Sequence, residues 1–304
     1  MKILITGSSG FIGSALKDFF KDKDIDIVEY DIRNDPKQDV RDFEHVFSRV
    51  KNVEGVIHLA AVSRVKIAFE TPLLCVAVNI GGTENVLEAA RRKSAANNGK
   101  SPWVIFASSR EVFGEPEHLP VTETSPRSPI NVYGVAKVAG EDLCRIYTKD
   151  YGLRTRVLRF SNAYSSIHDQ FDRVVPTFIL RAARNEDIAI HGKGEETFDF
   201  TYIDDTVQGI WQCVQEISDA SSPEFDDFNI STGKPVTLRE LAEIVIEETK
   251  SKSSIIYQEA RSYDVSKFYG DPKKAMEKLG FSPRTDIRAG ISAVVQEFKK
   301  ARII

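Results

Sequence analysis

The sequence predicts an α/β fold in which a doubly wound parallel sheet is followed by a smaller α/β portion. Three observations support this prediction. Short apolar segments alternate with amphipathic ones through the first half, a glycine-rich turn joins the first such pair, and the alternation stops near residue 165. Ligands of such sheets bind beyond the carboxyl ends of the strands, so we expect the functional site at that edge.

Composition and charge exclude several classes of function. Hydrophobic residues make up 41% of the 304 residues and charged residues 28%, as in an average globular protein. A net charge of −4 gives no reason to expect nucleic acid or an acidic membrane surface as a partner. No apolar run reaches the ~20 residues of a membrane span, and the apolar start is too short for a signal peptide. We therefore expect a cytoplasmic protein without a membrane partner.

The cysteines and histidines do not indicate a metal site. Cys75, Cys144 and Cys213 are widely spaced and odd in number, so we expect buried free thiols. The five histidines show no spacing typical of metal ligands, and no metal is expected.

Three glycines join the first strand to the first helix. Residues 2–6 form a short apolar run, Gly7, Gly10 and Gly13 follow, and an amphipathic segment extends to about Phe20. This order is typical of Rossmann-type dinucleotide-binding folds, because Gly7 permits a tight turn and Gly10 lets the backbone approach a pyrophosphate. The alternative interpretation is a turn that binds nothing.

An acidic residue ends the second predicted strand. Residues 25–31 end in Asp31, eighteen positions after Gly13. A carboxylate there accepts hydrogen bonds from the adenosine ribose hydroxyls and repels a 2′-phosphate, which favours NAD over NADP. Arg33 lies near enough in sequence to keep NADP as the alternative.

The first half continues with further strands and helices. Residues 39–42 are interpreted as a short strand end followed by a helix cap. Residues 56–61 are interpreted as a buried strand, in which His58 is an interior residue rather than a catalyst. The other predicted elements are a helix over residues 71–92 and strands over residues 102–108 and 154–160.

A tyrosine and a lysine four residues apart form the strongest catalytic pattern. On a helix, Tyr133 and Lys137 share one face, and an ammonium beside a phenol should lower the pKa of Tyr133. Ser109 follows the strand over residues 102–108 and should face the same cleft, although turn capping would also explain a serine there. The same tyrosine–lysine spacing recurs, without a neighbouring cofactor motif, at Tyr263–Lys267 and Tyr269–Lys273.

The second half lacks the regular alternation. We expect residues 197–205 to open another helix, residues 228–231 to form a strand, and residues 237–240 to form a capping box before a helix. A final amphipathic helix is predicted over residues 284–300. The sequence contains no flexible linker, so the second portion should pack on the first.

Together, the motifs resemble one family, the extended short-chain dehydrogenase/reductases, and within it the nucleotide-sugar epimerases and dehydratases. The resemblance covers nearly the whole chain, with order and spacing kept throughout. It depends on the segments at residues 6–13, 31, 58–61, 79, 108–109, 133–137, 162, 200–205, 271–275 and 279–280.

This resemblance implies NAD as the cofactor and a division of the chain into two parts. An NAD-binding Rossmann domain would cover residues 1–165 and be joined again by about residues 199–232. A portion that binds the nucleotide sugar would cover residues 166–304. The residues placed against NAD are Gly7, Gly10, Phe11, Ile12, Gly13, Asp31, Asp39, Val40, Leu59, Ala60, Ala61, Tyr133 and Lys137.

The resemblance also implies roles in a reaction at C4 of a nucleoside-diphosphate sugar. Tyr133 would take the proton of the 4-hydroxyl as the C4 hydride passes to NAD, Lys137 would bind the nicotinamide ribose, and Ser109 would hydrogen-bond the 4-oxygen. Asn162 matches a residue that contacts the substrate. Arg261 matches an arginine that binds the diphosphate, where a planar cation offers paired donors.

Two departures from the family pattern lie near this site. Phe198 stands where relatives commonly carry an arginine for a second grip on the diphosphate, and Lys193 or Arg173 is the candidate substitute. Phe113 and Ser165 replace a common tyrosine and glycine, which should reshape the sugar pocket.

Three functions remain open for the chain. We prefer 4-epimerisation, in which hydride returns to the other face of a transient 4-keto sugar. A 4,6-dehydratase uses an Asp-Glu pair directly after the residue matching Ser109, and this chain has Arg110 and Glu111 there. Glu111 would suit the base that removes the C5 proton, but arginine stays protonated and cannot act as the acid. The alternative for Glu111 is a carboxylate paired to Arg110, and the third function is a catalytically silent NAD-binding scaffold.

Relatives in this family are usually homodimers that pair two helices from each subunit. The predicted helix starting near Asn131 carries an apolar pattern that suits either such a bundle or packing on the sheet. The residues of this pattern are Val135, Val138, Ala139, Leu143 and Ile146.

Overall fold

A parallel sheet forms the centre of the computed structural model, which describes residues 1–96, 101–165, 167–261 and 263–304. All neighbouring strands of the sheet are parallel. The predicted doubly wound α/β fold is confirmed, and its last strand comes from the second half of the chain. From one edge to the other the strands are β2 (Asp26–Tyr30), β1 (Lys2–Thr6), β3 (Gly55–His58), β4 (Trp103–Ser109), β5 (Thr155–Phe160) and β8 (Phe225–Ile230).

Helices cover both faces of this sheet. In β1, Ile3 packs with Leu16 on one face, whereas the next residue, Leu4, packs with Val46 on the other. The two residues separate because successive side chains of a strand point to opposite faces. The first face is covered by α1 (Phe11–Phe20) and α8 (Ile203–Asp219), and the second by α2 (Phe43–Val50), α5 (Gly82–Ala96) and α6 (Val132–Tyr151).

The helix predicted over residues 71–92 begins as expected but is interrupted. Its first part, α4 (Pro72–Val76), follows the short α3 (Val65–Glu70), and a π-helical turn (Ala77–Gly81) separates α4 from α5. Within that turn, the Asn79 side chain bonds both backbone groups of Val62, at 2.8 and 3.1 Å. The turn therefore fixes the loop that follows β3, and such turns are frequent at functional sites.

The second half of the chain adds two small sheets and further helices. Its elements are α7 (Val174–Ala183), β6 (Ile188–His191), β7 (Thr197–Asp199), β9 (Pro235–Thr237), α9 (Leu238–Thr249), β10 (Ile255–Gln258), α10 (Lys273–Leu279) and α11 (Ile287–Lys300). Strands β6 and β10 pair in parallel, and β7 and β9 pair antiparallel. The predicted capping box is present, since Thr237 and Glu240 each accept from the other's backbone N–H.

Three local predictions are corrected by the structure. Residues 39–41 form a turn rather than a strand end, although Asp42 caps α2 as expected by accepting from the His45 N–H at 3.1 Å. Strand β3 ends at His58, so residues 59–61 form a loop. The helix expected from residue 197 begins at Ile203, because residues 197–199 pair with β9 instead.

The described residues contain neither a helix that could span a membrane nor a cluster of metal ligands. None of the helices in the described part of the chain is long and apolar enough to cross a membrane. The histidines, cysteines and acidic residues in the same ranges do not group as metal ligands would. The three cysteines are buried, free thiols.

Candidate active site

The residues predicted for the site meet in a cavity of about 890 Å³ at the carboxyl edge of the sheet. Parallel strands place all their carboxyl ends on one edge, which explains how residues far apart in sequence come together. The cavity is lined by Gly7, Gly10, Phe11, Ile12, Gly13, Asp31, Asp39, Val40, Leu59, Ala60, Ala61, Ser109, Glu111, Tyr133, Lys137, Asn162 and Arg261, which are all the residues predicted for it.

The glycine turn at the end of β1 leaves no room for side chains. Gly7 has a φ of +72°, and a Cβ atom there would lie 2.8 Å from the Ala60 nitrogen. A Cβ at Gly13 would overlap the Gly7 carbonyl oxygen. The turn leads directly into α1, whose first N–H groups lack intrahelical acceptors and so favour an anion. The backbone here fits a dinucleotide pyrophosphate.

Asp31 lies just beyond the end of β2 and is 7% exposed. Its carboxylate accepts from the backbone N–H groups of Ser9 at 2.9 Å and Arg33 at 2.8 Å, which fixes it beside the glycine turn. The Arg33 guanidinium donates to the Ser9 carbonyl oxygen at 2.9 Å. This geometry suits the hydroxyls of an adenosine ribose, as the sequence predicts.

Tyr133 and Lys137 lie on the first turns of α6, facing the sheet. Asn131 caps this helix by accepting from the Gly134 N–H at 2.8 Å. Tyr133 is 7% and Lys137 3% exposed, and the Lys137 ammonium donates to the Ala107 carbonyl oxygen at 2.7 Å. Because β4 carries both Ala107 and Ser109, the lysine ties the helix to the strand that bears the serine.

The pKa of Tyr133 differs from the sequence-based expectation. Burial raises the pKa of Tyr133 well above 10, and the Ser109 hydroxyl opposes this rise. Burial likewise lowers the pKa of Lys137, to about 8. The Lys137 ammonium lies 5.7 Å from the centre of the Tyr133 ring and contacts Ala107, so desolvation outweighs its attraction for a phenolate. The expected lowering of the Tyr133 pKa by Lys137 is therefore wrong for this structure.

Glu111 is held as an ion pair rather than left free. It is 6% exposed and lies in a 3-10 turn (Arg110–Phe113) directly after β4. One carboxylate oxygen lies 3.0 Å from Arg110 Nη2, and the other accepts from Asn131 Nδ2 at 2.9 Å. Both oxygens thus have partners, as the alternative interpretation of Glu111 supposes.

The residues predicted to contact the substrate lie in two places. Asn162 follows β5, has a φ of +22° that is uncommon for a residue with a side chain, and accepts from Arg110 Nε at 3.2 Å. Arg261 is exposed and donates from Nε to Asp264 at 2.6 Å. Ser262 of the same motif lies outside the described residues.

The two candidate substitutes for an arginine at position 198 differ in where they lie. Arg173 lines the cavity, and Lys193 is not among its lining residues in the described chain. Phe113 does not face the sugar pocket as expected. It is 1% exposed and stacks on Phe268, with ring centres 6.0 Å apart.

A buried ion network supports the catalytic residues from behind. Glu141 lies one turn after Lys137 on α6 and is bound by both Nε and Nη2 of Arg159, each at 2.8 Å. It also accepts from the Ser108 hydroxyl at 2.6 Å. Ser108 directly precedes Ser109, so this network joins the helix and the strand that supply the catalytic groups.

Arg64, Arg181 and Gln258 are among the cavity residues that sequence reasoning missed. Arg64 forms an ion pair with Asp172 and donates to Gln170 at 2.9 Å, which joins the loop after β3 to the segment before α7. Arg181 on α7 and Gln258 on β10 line the cavity from the second half of the chain. These residues belong to no local motif, and their position depends on contacts between distant segments.

Comparisons with known proteins agree with this geometry. The family model described as GDP-mannose 4,6 dehydratase matches residues 36–294. A putative UDP-glucose 4-epimerase of Methanocaldococcus jannaschii is 33% identical over 314 residues, which cover 98% of each chain. The crystal structure of a Thermotoga maritima UDP-glucose 4-epimerase with UDP-glucose superposes with a TM-score of 0.89 at 29% identity, covering 99% of this chain and all of that one. A Thermus thermophilus UDP-glucose 4-epimerase in complex with NAD gives 0.87 at 27% identity, with coverage of 99% and 100%.

Proposed function

This chain belongs to the family of NAD-dependent nucleotide-sugar epimerases and dehydratases, the extended short-chain dehydrogenase/reductases, and we propose that it is a nucleoside-diphosphate-sugar 4-epimerase. The observation that carries the proposal is the meeting of Ser109, Tyr133 and Lys137 beside a glycine turn and Asp31 in one cavity. The similarity to UDP-glucose 4-epimerases supports the same choice.

The cofactor in this proposal is NAD. The glycine turn would hold its pyrophosphate, Asp31 its adenosine ribose, and Lys137 its nicotinamide ribose. Asp39 and Val40, together with the loop over residues 59–61, would complete the site. When bound, NAD takes hydride from C4 of the sugar and returns it to the opposite face.

The proton of the 4-hydroxyl is the part of the chemistry that this chain handles itself. Tyr133 would accept that proton as the hydride leaves, and return it when the alcohol is formed again, so nothing is lost from the sugar. Burial raises the pKa of Tyr133, and a buried phenolate needs positive charge nearby. Lys137 and the cationic nicotinamide ring would supply it, while Ser109 holds the 4-oxygen in place.

The cations on the far side of the cavity suit the diphosphate of the substrate. The described lining of the cavity includes arginines, whose planar cations offer paired donors to phosphate oxygens. Arg261, Arg173 and Arg181 come from the second half of the chain. We therefore assign residues 166–304 to the nucleotide sugar, and residues 1–165 with residues 199–232 to NAD.

Dehydration is the second candidate function, since Glu111 lies in the cavity beside Ser109. Against it, both oxygens of Glu111 are engaged by Arg110 and Asn131. Arg110 also occupies the place of the acid that would protonate a leaving 6-hydroxyl, and an arginine cannot donate a proton at neutral pH.

We also propose a homodimer formed by α4 and α6. The α6 residues that face the sheet are Ala136, Lys137, Gly140, Glu141 and Cys144, all buried. Within the apolar pattern noted on this helix, Val135 is 52% and Ile146 36% exposed, whereas Leu143 packs with the residues that cover the sheet. Leu73 and Val76 on the adjacent α4 are also exposed.

A cytoplasmic location stays a prediction, and the three free thiols are compatible with a reducing compartment.

Product analysis in heavy water tests the reaction. The purified protein, loaded with NAD, is incubated with a panel of nucleotide sugars and the products are identified by NMR. We expect a C4-inverted sugar without deuterium at C4, because the hydride never exchanges with solvent. A product that lacks the 6-hydroxyl and carries deuterium would instead establish dehydration, for which Glu111 is the candidate base.

Replacement of Tyr133 by phenylalanine tests the catalytic assignment and the scaffold alternative. The variant should lose turnover while still binding NAD, because only the proton acceptor is removed. Tyr269→Phe is the matched control, since Tyr269 has the same spacing to a lysine but is not among the described cavity residues. Wild-type protein that binds NAD but converts none of the sugars would favour the scaffold.

A further inference from the structure

Arg110 is a buried cation within the sugar end of the cavity. Its side chain is 12% exposed, and its guanidinium carbon lies 4.8 Å from the ring centre of Phe198 and 5.7 Å from that of Phe268. Nε donates to Asn162, and Nη2 pairs with Glu111 at 3.0 Å. Nη1 is buried and has no hydrogen-bond partner among the residues that the structure describes.

An arginine in this state is prepared to bind an anion. The guanidinium stays charged, and a buried N–H without an acceptor is costly, so a ligand that brings an acceptor is favoured. The contacts of the Arg110 guanidinium with two aromatic rings, and its bonds to Asn162 and Glu111, already fix its orientation. Little side-chain entropy is therefore lost when an anion binds.

The position of Arg110 decides which anion it meets. Arg110 directly follows Ser109, which under the proposed function holds the 4-oxygen of the sugar. In a hexopyranose the diphosphate on C1 lies across the ring from C4, whereas C6 is attached to C5, next to C4. A cation beside Ser109 therefore faces C6 rather than the diphosphate, for which Arg261 and Arg173 remain.

We propose that Arg110 binds a carboxylate at C6, so that the substrate is a nucleoside-diphosphate hexuronic acid. This inference rests on the proposed 4-epimerase, because Ser109 and Tyr133 give the orientation of the ring. Glu111 completes the receptor by holding Nη2 and leaving Nη1 for the carboxylate oxygen. Phe198, which stands where relatives have an arginine, supplies the flat surface on which the guanidinium lies.

Competition between matched substrates tests the inference. Kd and kcat/KM are measured for the NAD-loaded protein with a UDP-hexose and the corresponding UDP-hexuronic acid, in the wild type and in Arg110→Gln. Wild-type protein should prefer the uronic acid by about ten- to a hundredfold, the value of a charge-assisted hydrogen bond in a buried site. Arg110→Gln should lose that preference and bind the two sugars equally well.

Arg261→Gln is the matched control, since it removes the same charge from the residue that the proposal assigns to the diphosphate. It should weaken both sugars equally, because both carry the diphosphate. Arg110→Lys keeps the charge and the ion pair with Glu111, so it should retain part of the preference if Arg110→Gln proves unstable. Equal affinities in the wild type, or an equal loss for both sugars in Arg110→Gln, would overturn the inference.

The two proposals fail in different ways. Selective binding of the uronic acid without C4 inversion would support the contact between Arg110 and the C6 carboxylate and refute the 4-epimerase. Loss of carbon dioxide from the uronic acid would do the same, since a 4-keto uronic acid is a β-keto acid. C4 inversion of the neutral sugar alone would support the 4-epimerase and refute the contact between Arg110 and a C6 carboxylate.

Discussion

Replacing Glu141 by glutamine should remove the buried charge that joins α6 to β4 and β5. Glu141 is 1% and Arg159 4% exposed, and the two side chains share two hydrogen bonds of 2.8 Å. Removing one member of a buried ion pair costs about 3–5 kcal/mol, because the other charge is left without compensation. Arg159 keeps a second contact, to Asp227 at 2.8 Å, so we expect the lower value, about 3 kcal/mol.

Chemical denaturation of Glu141→Gln and a neighbouring variant measures this cost. Asp142 is the next residue, is 40% exposed and pairs at 2.8 Å with Arg127, which also contacts Glu141 at 3.1 Å. Asp142→Asn should therefore lower the free energy of unfolding by less than about 1 kcal/mol, as for a surface ion pair. An equal decrease in the free energy of unfolding in the two variants would show that the buried ion pair stabilises the fold no more than the exposed one.

The same substitution should also affect catalysis. Without the carboxylate, the Ser108 hydroxyl loses its 2.6 Å partner and the strand end that carries Ser109 is held less firmly against α6. We expect kcat to fall about tenfold or more at temperatures where the variant is folded, with KM little changed, since misplaced catalytic groups act on the transition state. An unchanged kcat would show that Glu141 stabilises the fold but does not position the catalytic groups.

Three further predictions concern pH, cofactor and assembly. Burial lowers the pKa of His58 from 6.5 to about 3, so the unfolded chain takes up a proton first as the pH falls. The free energy of unfolding should therefore fall between pH 6.5 and 3, by up to roughly 5 kcal/mol. In His58→Gln, the free energy of unfolding should depend less on pH over this range, and an unchanged pH dependence would assign the fall to other groups. Asp31→Gly should reduce the preference for NAD over NADP about tenfold in fluorescence titrations, with Asp35→Asn as an unaffected control, and an unchanged ratio would exclude a ribose contact. In light scattering, Val135→Glu should convert a dimer to a monomer while Lys252→Glu should not, and a monomeric wild type would refute the helix pairing.

The sequence predicts well those parts of the site whose residues lie close together in the chain. The glycine turn, Asp31 and the Tyr133–Lys137 pair each lie within one strand–turn–helix unit or one helix. Their spacing alone therefore brings them to the carboxyl edge. Of the three tyrosine–lysine pairs, Tyr133–Lys137 is the one that lies on a helix within the described residues. Local context thus separates it from two identical patterns.

The errors arise where distant segments decide the conformation. Residues 197–199 become a strand because they pair with residues 235–237, and a capping pattern alone does not show this pairing. The π-helical turn depends on Asn79 reaching back to Val62. The pKa of Tyr133 was expected to fall because the sequence shows the nearby lysine but not the depth of burial, which has the larger effect.

Arg110 and Glu111 connect the choice of reaction with the choice of substrate. Oxidation at C4 needs Ser109, Tyr133 and Lys137, which the family shares, so the fate of the keto sugar depends on what lies beside them. In this chain the pair beside Ser109 consists of a cation and a carboxylate that neutralise each other, 3.0 Å apart. As long as Arg110 and Asn131 engage both oxygens of Glu111, neither oxygen is free to approach the C5 proton. A substrate carboxylate on Nη1 would share the guanidinium without releasing Glu111, so a uronic acid substrate and suppression of elimination are compatible consequences of the same side-chain arrangement.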